Sequence, residues 1–318
     1  MSVEYAACKR ADKRASLETC RLTLKQGYKI WGKNAEIRIL RIISWGCSSL
    51  VYLADANGTL CIVKELFPLQ LAERGLLNRA RSGKLTLSCR RNAIMLWLGE
   101  RMRCWRAVKL AMKLQNIPAL SNSVVQLRGL YFANRTMYTL SYKLDGRALS
   151  ETNFTSMEEI VESCAQIAHM TEIVHQSGWL MVDIKASNYL ISRVGVTIQI
   201  KMVDFDSAVP LSRLRHQKRF LCSSETAPPE LLSGNGAIAG CHSDVYSIAA
   251  MMYRMIRGVS WKQEIENDFP AQSGCILSEW TPDRQRRLYC CLADALHSNP
   301  KTRTATCEIL ETRLRELL

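Results

Sequence analysis

Apolar and polar residues alternate from Ala35 to Ile43 and again from Ser49 to Ala54, the period-two pattern of half-buried strands, with Gly46 between them. A third apolar run, Thr59–Phe67, is entered through Asn57-Gly58, a strong two-residue hairpin signal. The chain is therefore predicted to open with three antiparallel strands. Residues 1–27 read as an unattached or loosely docked arm. Residues 68–91 are polar and basic, carry Gly75 and Gly83, and read as an insertion. From Ala93 to Leu114 the apolar residues recur at helical spacing and predict one long helix. Val124–Tyr131 and Thr136–Tyr142 predict two more strands, joined at Asn134.

The pattern changes after Asp145-Gly146. Ser156 followed by Glu159 is a capping-box pair that starts an amphipathic helix reaching about Ser177. Further helices are expected at Ser243–Arg257, Asp283–His297 and Ala305–Leu317. Five strands with one helix, followed by a helical second half, is an α+β arrangement. It divides the chain into an arm (1–27), a first lobe (28–144, with the insertion 68–91) and a second lobe (145–318).

Composition narrows the class. The chain has 318 residues, 47% hydrophobic and 23% charged, which suits a folded, soluble protein. Its formal net charge of +14 raises nucleic acid as a partner. The basic residues are spread along the chain without a recognisable nucleic-acid module, so a solvated basic surface or an acidic protein partner is the expectation. The 13 cysteines form no C-x-x-C pair, which argues against a disulfide framework and against zinc. No secretory signal and no run of about 18 apolar residues is present. A reducing cytoplasm is the expected compartment.

The chemistry concentrates in Val182–Asn188, VDIKASN, and in Asp204-Phe205-Asp206 beyond the next apolar strand. Asp183, Lys185 and Asn188 on one tight loop, then a strand and Asp204, is a layout suited to phosphoryl transfer. One carboxylate orients a hydroxyl, the lysine meets the transferred phosphate, and Asn188 with Asp204 holds a divalent metal.

Several further motifs in register make the chain resemble the bacterial Ser/Thr protein kinase-like family over about residues 36–318. Ser44-Trp45-Gly46-Cys47-Ser48-Ser49-Leu50-Val51-Tyr52 is similar to the glycine-rich loop, with only Gly46 kept of three glycines. Cys61-Ile62-Val63-Lys64 matches the V-A-I-K strand. His175 with Gly178 matches the turn before the catalytic loop. Ala227-Pro228-Pro229-Glu230 resembles the A-P-E end of the activation segment, and Ser243–Ser247 the start of the buried helix whose Asp244 braces that loop.

The resemblance implies a two-lobed protein kinase-like fold: a small antiparallel N-lobe sheet with one long helix, and a mainly helical C-lobe. It gives ATP to Gly46, Ser48, Ser49, Val51 and Lys64, with Tyr142–Leu144 at the hinge, Tyr142 and Leu144 lining the nucleotide. It gives Mg²⁺ or Mn²⁺ to Asn188 and Asp204, and catalysis to Asp183 and Lys185. Glu230 is expected to pair with Arg303.

The chain departs from the family in four places. The expected helix glutamate is replaced by Ala107 and Val108; Glu100 is the nearest substitute and reads as an exposed helix carboxylate. Met181 and Val182 replace His-Arg, which removes the cation that grips a phosphorylated activation loop. Asp206 replaces the glycine of Asp-Phe-Gly and reads as a solvated loop residue. Ser44 and Ser49 replace glycines at a possible cost on the order of 1–2 kcal/mol if either is left-handed.

The implied activity is transfer of the ATP γ-phosphate to Ser/Thr hydroxyls of a protein. The basic residues among 207–226 read first as a mobile charged loop; the alternative is that they favour acidic substrate sequences. The alternatives are a nucleotide-binding pseudokinase scaffold and a small-molecule phosphotransferase. Nucleic acid is not an expected partner, and oligomeric state is left open.

Overall fold

The computed structural model describes residues 22–31, 36–195, 197–262 and 280–318. The chain divides into two compact units. One runs to Val108 and adds Gln126–Lys143; the other comprises Lys109–Val125 and Leu144–Leu318.

The first unit is built on a sheet of β1 (Lys29–Trp31), β2 (Glu36–Trp45), β3 (Ser49–Ala56), β4 (Thr59–Leu66), β7 (Leu127–Ala133) and β8 (Thr136–Tyr142). Its strand order is β1-β2-β3-β4-β8-β7, and every pairing is antiparallel. The β3–β4 turn places Asn57 at φ 54° and Gly58 at φ 82°. Asp55 Oδ1 accepts the Gly58 N–H at 2.7 Å. That is the twist-matching turn the Asn-Gly pair favours. Asn134 and Arg135, at φ 51° and 63°, repeat it between β7 and β8. The short β1 was not expected.

Residues 68–91, read as an insertion, fold into the first unit. They form α1 (Leu69–Glu73), a hairpin of β5 (Leu77–Arg79) and β6 (Leu85–Leu87), and the start of the long helix α2 (Arg91–Leu114). Leu71, Leu76, Leu77 and Leu85 are buried in the same core as Ile37, Leu50, Tyr52 and Val63. Arg79 Nη2 lies 2.7 Å from Glu65 Oε2, with both side chains almost fully buried. Tyr52 and Tyr138 donate their hydroxyls to the two Glu65 oxygens at 3.0 and 2.8 Å. Burial first, and then the Glu65 carboxylate, hold both phenols well above their ordinary pKa. The arm also docks where it is described: Leu24 is buried, and its N–H bonds to the Tyr52 hydroxyl at 3.1 Å. Residues 1–21 lie outside the described set.

The second unit contains β9 (Arg147–Ala148), α3 (Met157–Gln176), β10 (Trp179–Leu180), β11 (Tyr189–Val194), β12 (Thr197–Met202), β13 (Val209–Pro210), α4 (Pro229–Leu232), α5 (Cys241–Arg257), α6 (Pro282–Ala295) and α7 (Cys307–Arg315). Ser156 caps α3 by accepting the Glu159 N–H at 3.3 Å, as the capping-box pair predicts. Ile160, Val161, Cys164, Ile167 and Ala168 are fully buried. α3 packs against α5, α7 and β12. Among the described residues no helix is long and apolar enough to cross a membrane.

Candidate active site

The loop between β10 and β11 carries Asp183, Lys185 and Asn188. Met181, Val182 and Ile184 anchor it in the core. Val182 sits at φ 72°, a left-handed conformation that a β-branched residue adopts only under constraint. The constraint is Asp244 on α5, which is wholly buried. Its Oδ2 accepts the Met181 N–H at 2.7 Å, and its Oδ1 accepts the Val182 N–H at 2.9 Å. His175, at the end of α3, places Nε2 2.8 Å from the same Oδ2. Burial opposes charge on this imidazole, but the Asp244 carboxylate outweighs it and raises its pKa far above the ordinary value.

The braced loop gathers its polar side chains. Lys185 Nζ donates to Asp183 Oδ2 at 2.6 Å. The Ser223 N–H donates to Asp183 Oδ1 at 2.8 Å. Asn188 Nδ2 donates to the Asp183 carbonyl at 2.8 Å. An ionised carboxylate has about four acceptor sites, so Asp183 can still receive a hydroxyl. The Asn188 carbonyl accepts the Val203 N–H at 3.1 Å, which brings the next residue, Asp204, beside this loop. Asp204 Oδ1 accepts the Asp206 N–H at 3.0 Å. Asp206 is not left-handed, so the absent glycine costs no backbone strain here, and its side chain is half-buried. With its amide nitrogen engaged, Asn188 has an oxygen to offer a cation, and Asp204 adds carboxylate oxygen; such hard donors fit Mg²⁺ or Mn²⁺.

The segment beyond is also anchored. The buried Thr226 donates its hydroxyl to the Ile184 carbonyl at 2.8 Å. Lys262 Nζ holds the carbonyls of Ser224 and Ala227, each at 2.7 Å. Glu230 and Arg303 form the expected pair, with Nη1 to Oε1 at 2.6 Å and both side chains buried. The contacts of Ser223, Thr226 and Lys262 were not foreseen. The first and last act on or through backbone groups, which leave no signature in side-chain spacing.

In the first unit, Lys64 on β4 pairs in register with Val51 on β3 and Thr139 on β8. Opposed residues share a sheet face, so Val51 and Lys64 stand side by side, with Glu65 on the other face. The Gly46 turn is tied down. Gly46 N–H bonds to the Ser49 carbonyl at 2.8 Å, while the Cys47 and Ser48 carbonyls accept from Leu69 and Phe67 at 3.0 and 2.9 Å. Neither Ser44 nor Ser49 is left-handed, so the anticipated strain does not arise; Ser49 is buried. Glu100 departs from its exposed reading. Its side chain is 16% exposed and pairs with Arg103, and its Oε2 is buried without a hydrogen-bond partner among the described residues. Tyr142 is half-exposed, with the Arg128 guanidinium 5.0 Å from its ring centre. Leu144, which opens the second stretch of the other unit, is partly buried.

A two-unit α+β chain whose second unit holds an Asp-Lys-Asn loop beside a second Asp has the architecture of a phosphotransferase. A family model for the protein kinase domain matches residues 101–314. The chain belongs to the protein kinase domain family.

Serine/threonine-protein kinase PLK2 of Mus musculus is 31% identical over 94 residues, covering 29% of this chain and 13% of that protein. Calcium-dependent protein kinase 33 of Arabidopsis thaliana is 24% identical over 230 residues, 67% of this chain and 41% of that protein. The probable serine/threonine-protein kinase CPE1738 of Clostridium perfringens is 26% identical over 150 residues, 45% and 21% of the two chains. The chain thus spans less than half the length of each relative.

Among solved structures, the apo form of PpkA-294 is similar with a TM-score of 0.64 at 18% identity, over 93% of this chain and 99% of that one. The Mycobacterium tuberculosis PknI kinase domain follows at 0.58 and 17%, with the same coverage. The expected protein kinase fold is upheld.

Proposed function

We propose that the chain is an ATP-dependent protein kinase that transfers the γ-phosphate to Ser/Thr hydroxyls of a protein substrate. The observation that carries this reading is the Asp183 carboxylate, held by Lys185 and the Ser223 N–H on a loop braced by Asp244. In this reading Asp183 accepts the hydroxyl proton and aligns the oxygen for in-line attack. Lys185 stabilises charge on the transferred phosphate. Asn188 and Asp204 supply the oxygens for Mg²⁺ or Mn²⁺, and a bound ion neutralises phosphate charge. Gly46, Ser48, Ser49, Val51, Lys64, Tyr142 and Leu144 serve the nucleotide. The anchored Ala227–Glu230 segment favours a protein over a small molecule as substrate. Cytoplasmic residence belongs to the same proposal.

Labelled ATP with Mg²⁺ or Mn²⁺ tests it, with transfer followed to the chain itself and to a basic and an acidic protein. Native protein should transfer phosphate, and Asp183→Asn should reduce transfer at least a hundredfold while ATP still raises the thermal midpoint. Unchanged transfer in Asp183→Asn removes the site assignment. A second reading, a nucleotide-binding scaffold, is favoured by the tied Gly46 turn and by the pairing of Glu100 with Arg103. Stabilisation by ATP with no transfer in the native protein establishes that reading instead.

A further inference from the structure

The second unit assembles metal-ligand side chains from three helices that are distant in sequence. Glu172 and His175 lie three residues apart on α3 and so share a helix face. Cys307 is the first residue of α7, and Cys241 the first of α5. One ligand atom each from Glu172, His175 and Cys307 lie within 4.8 Å of one another.

The key atom is His175 Nδ1. The ring is 3% exposed, and Asp244 holds its other nitrogen. Nδ1 is buried and has no hydrogen-bond partner among the described residues. The Cys241 and Cys307 thiols lie close enough to favour the charged ring, yet neither meets Nδ1 with hydrogen-bond geometry. Glu172 Oε2 is 3.9 Å away and accepts the Glu308 N–H at 3.3 Å. Buried polar atoms are rarely left unmatched without a reason, and an absent ion is one.

We propose that His175, Cys307 and Glu172 form a zinc site, which Cys241, outside that close group, completes as fourth ligand when the cluster contracts. A mixed nitrogen, sulfur and oxygen set suits this ion, and four ligands give its usual tetrahedron. Zinc bonds of about 2.0–2.3 Å put ligand atoms roughly 3.3–3.8 Å apart, so the cluster contracts on binding. On binding, the Cys307 and Cys241 thiols and the charged His175 ring, at Nδ1, each give up one proton to solvent; the two thiolates and the Glu172 carboxylate then outweigh the dication by one charge. Burial pushes the Cys307 thiol up, so its thiolate forms only as the ion binds. Asp244 occupies the place of the carboxylate that orients a zinc-bound imidazole. The same Asp244 holds the Met181 and Val182 amides, so the ion would stiffen the loop carrying Asp183 without touching substrate. Cysteine spacing gives no sign of the site, because its ligands converge only after α3, α5 and α7 pack.

The test uses the full chain, freed of metal by a chelator and titrated with Co²⁺ and then Zn²⁺. One equivalent of Co²⁺ should produce a near-ultraviolet thiolate charge-transfer band and tetrahedral visible bands, which Zn²⁺ displaces; Zn²⁺ should also raise the thermal midpoint. Cys307→Ser combined with Cys241→Ser should abolish the bands and the Zn²⁺ effect. Cys290→Ser, at an exposed position outside the cluster, should keep both. Should the double variant fail to fold, Glu172→Gln reads the same site and should weaken binding at least tenfold. No band, a band that survives in the double variant, a band lost equally in Cys290→Ser, or unchanged affinity in Glu172→Gln each overturns the proposal.

Discussion

At Val182 a side chain and its backbone pull in different directions. The left-handed conformation costs this β-branched residue on the order of 1–3 kcal/mol. Burying its side chain, at 1% exposure, returns about as much. What decides the conformation is Asp244, whose two oxygens take the Met181 and Val182 N–H groups together with the His175 ring. Asn at 244 would keep the shape but turn an amide N–H₂ towards a neighbouring donor. Asp244→Asn should therefore lose about 3–5 kcal/mol, the usual penalty for breaking a buried charged network. Phosphate transfer should fall with it, because Asp183 is the next residue on the loop. Denaturant unfolding beside a transfer assay checks both; a stability change within about 0.5 kcal/mol would show that the loop does not need its brace. Glu100 is the contrary case, with one carboxylate oxygen buried and no hydrogen-bond partner for it among the described residues.

Elements became legible wherever their apolar period was long. The strands around Asn57-Gly58 and the helices at 157–176, 241–257 and 282–295 stand close to where alternation and capping put them. The packing of segment 68–91 was not legible in the sequence for a physical reason. Leu71, Leu76, Leu77 and Leu85 are separated by polar residues and show no period, and the hairpin is fixed by Arg79 meeting Glu65 from another strand. At the candidate site, spacing singled out Asp183, Asn188 and Asp204, and hydrogen bonds of the loop bring them near one another. The Ser223 amide could not, because every residue but proline carries one. The β5–β6 hairpin should therefore depend on its ion pair. Arg79→Ala leaves Glu65 buried beside two phenols without its cation and should cost about 3–5 kcal/mol. Arg79→Met with Glu65→Gln should recover most of that loss, since no unpaired charge remains. Equal losses in the single and double variants would mean that packing, and not charge, fixes the hairpin.

Across the whole molecule, acid acts on carboxylates that join distant elements of the second unit. Glu158 on α3 accepts from Trp280 Nε1 at 2.6 Å and from Arg284 at 2.9 Å, and Glu159 binds Arg193 on β11. Glu230 on α4 meets Arg303, ahead of α7, and the Ser243 hydroxyl of α5. Burial alone would raise each of these carboxyls. At Glu230 the hydrogen bonds from Arg303 and Ser243 outweigh it, and the pKa ends below the ordinary carboxylate value. Glu158 and Glu159 are lowered too, burial again being outweighed by the hydrogen bonds they accept. A group whose folded pKa is depressed adds stability above its unfolded value, about 4.3 for Glu, and loses it as pH falls through the folded value. The stability of the second unit should therefore be flat from neutral pH to about 5 and fall steeply below about 4.3. Glu230→Gln should lower the plateau by about 3–5 kcal/mol, since Arg303 is left buried without its anion. It should also make the acid limb shallower, since one proton fewer is taken up on unfolding. Unfolding midpoints measured from pH 3 to 7 separate the two effects. An acid limb equally steep in both proteins would mean that Glu230 keeps an ordinary pKa, and that the anchor of the segment beside Asp183 rests on shape and not on charge.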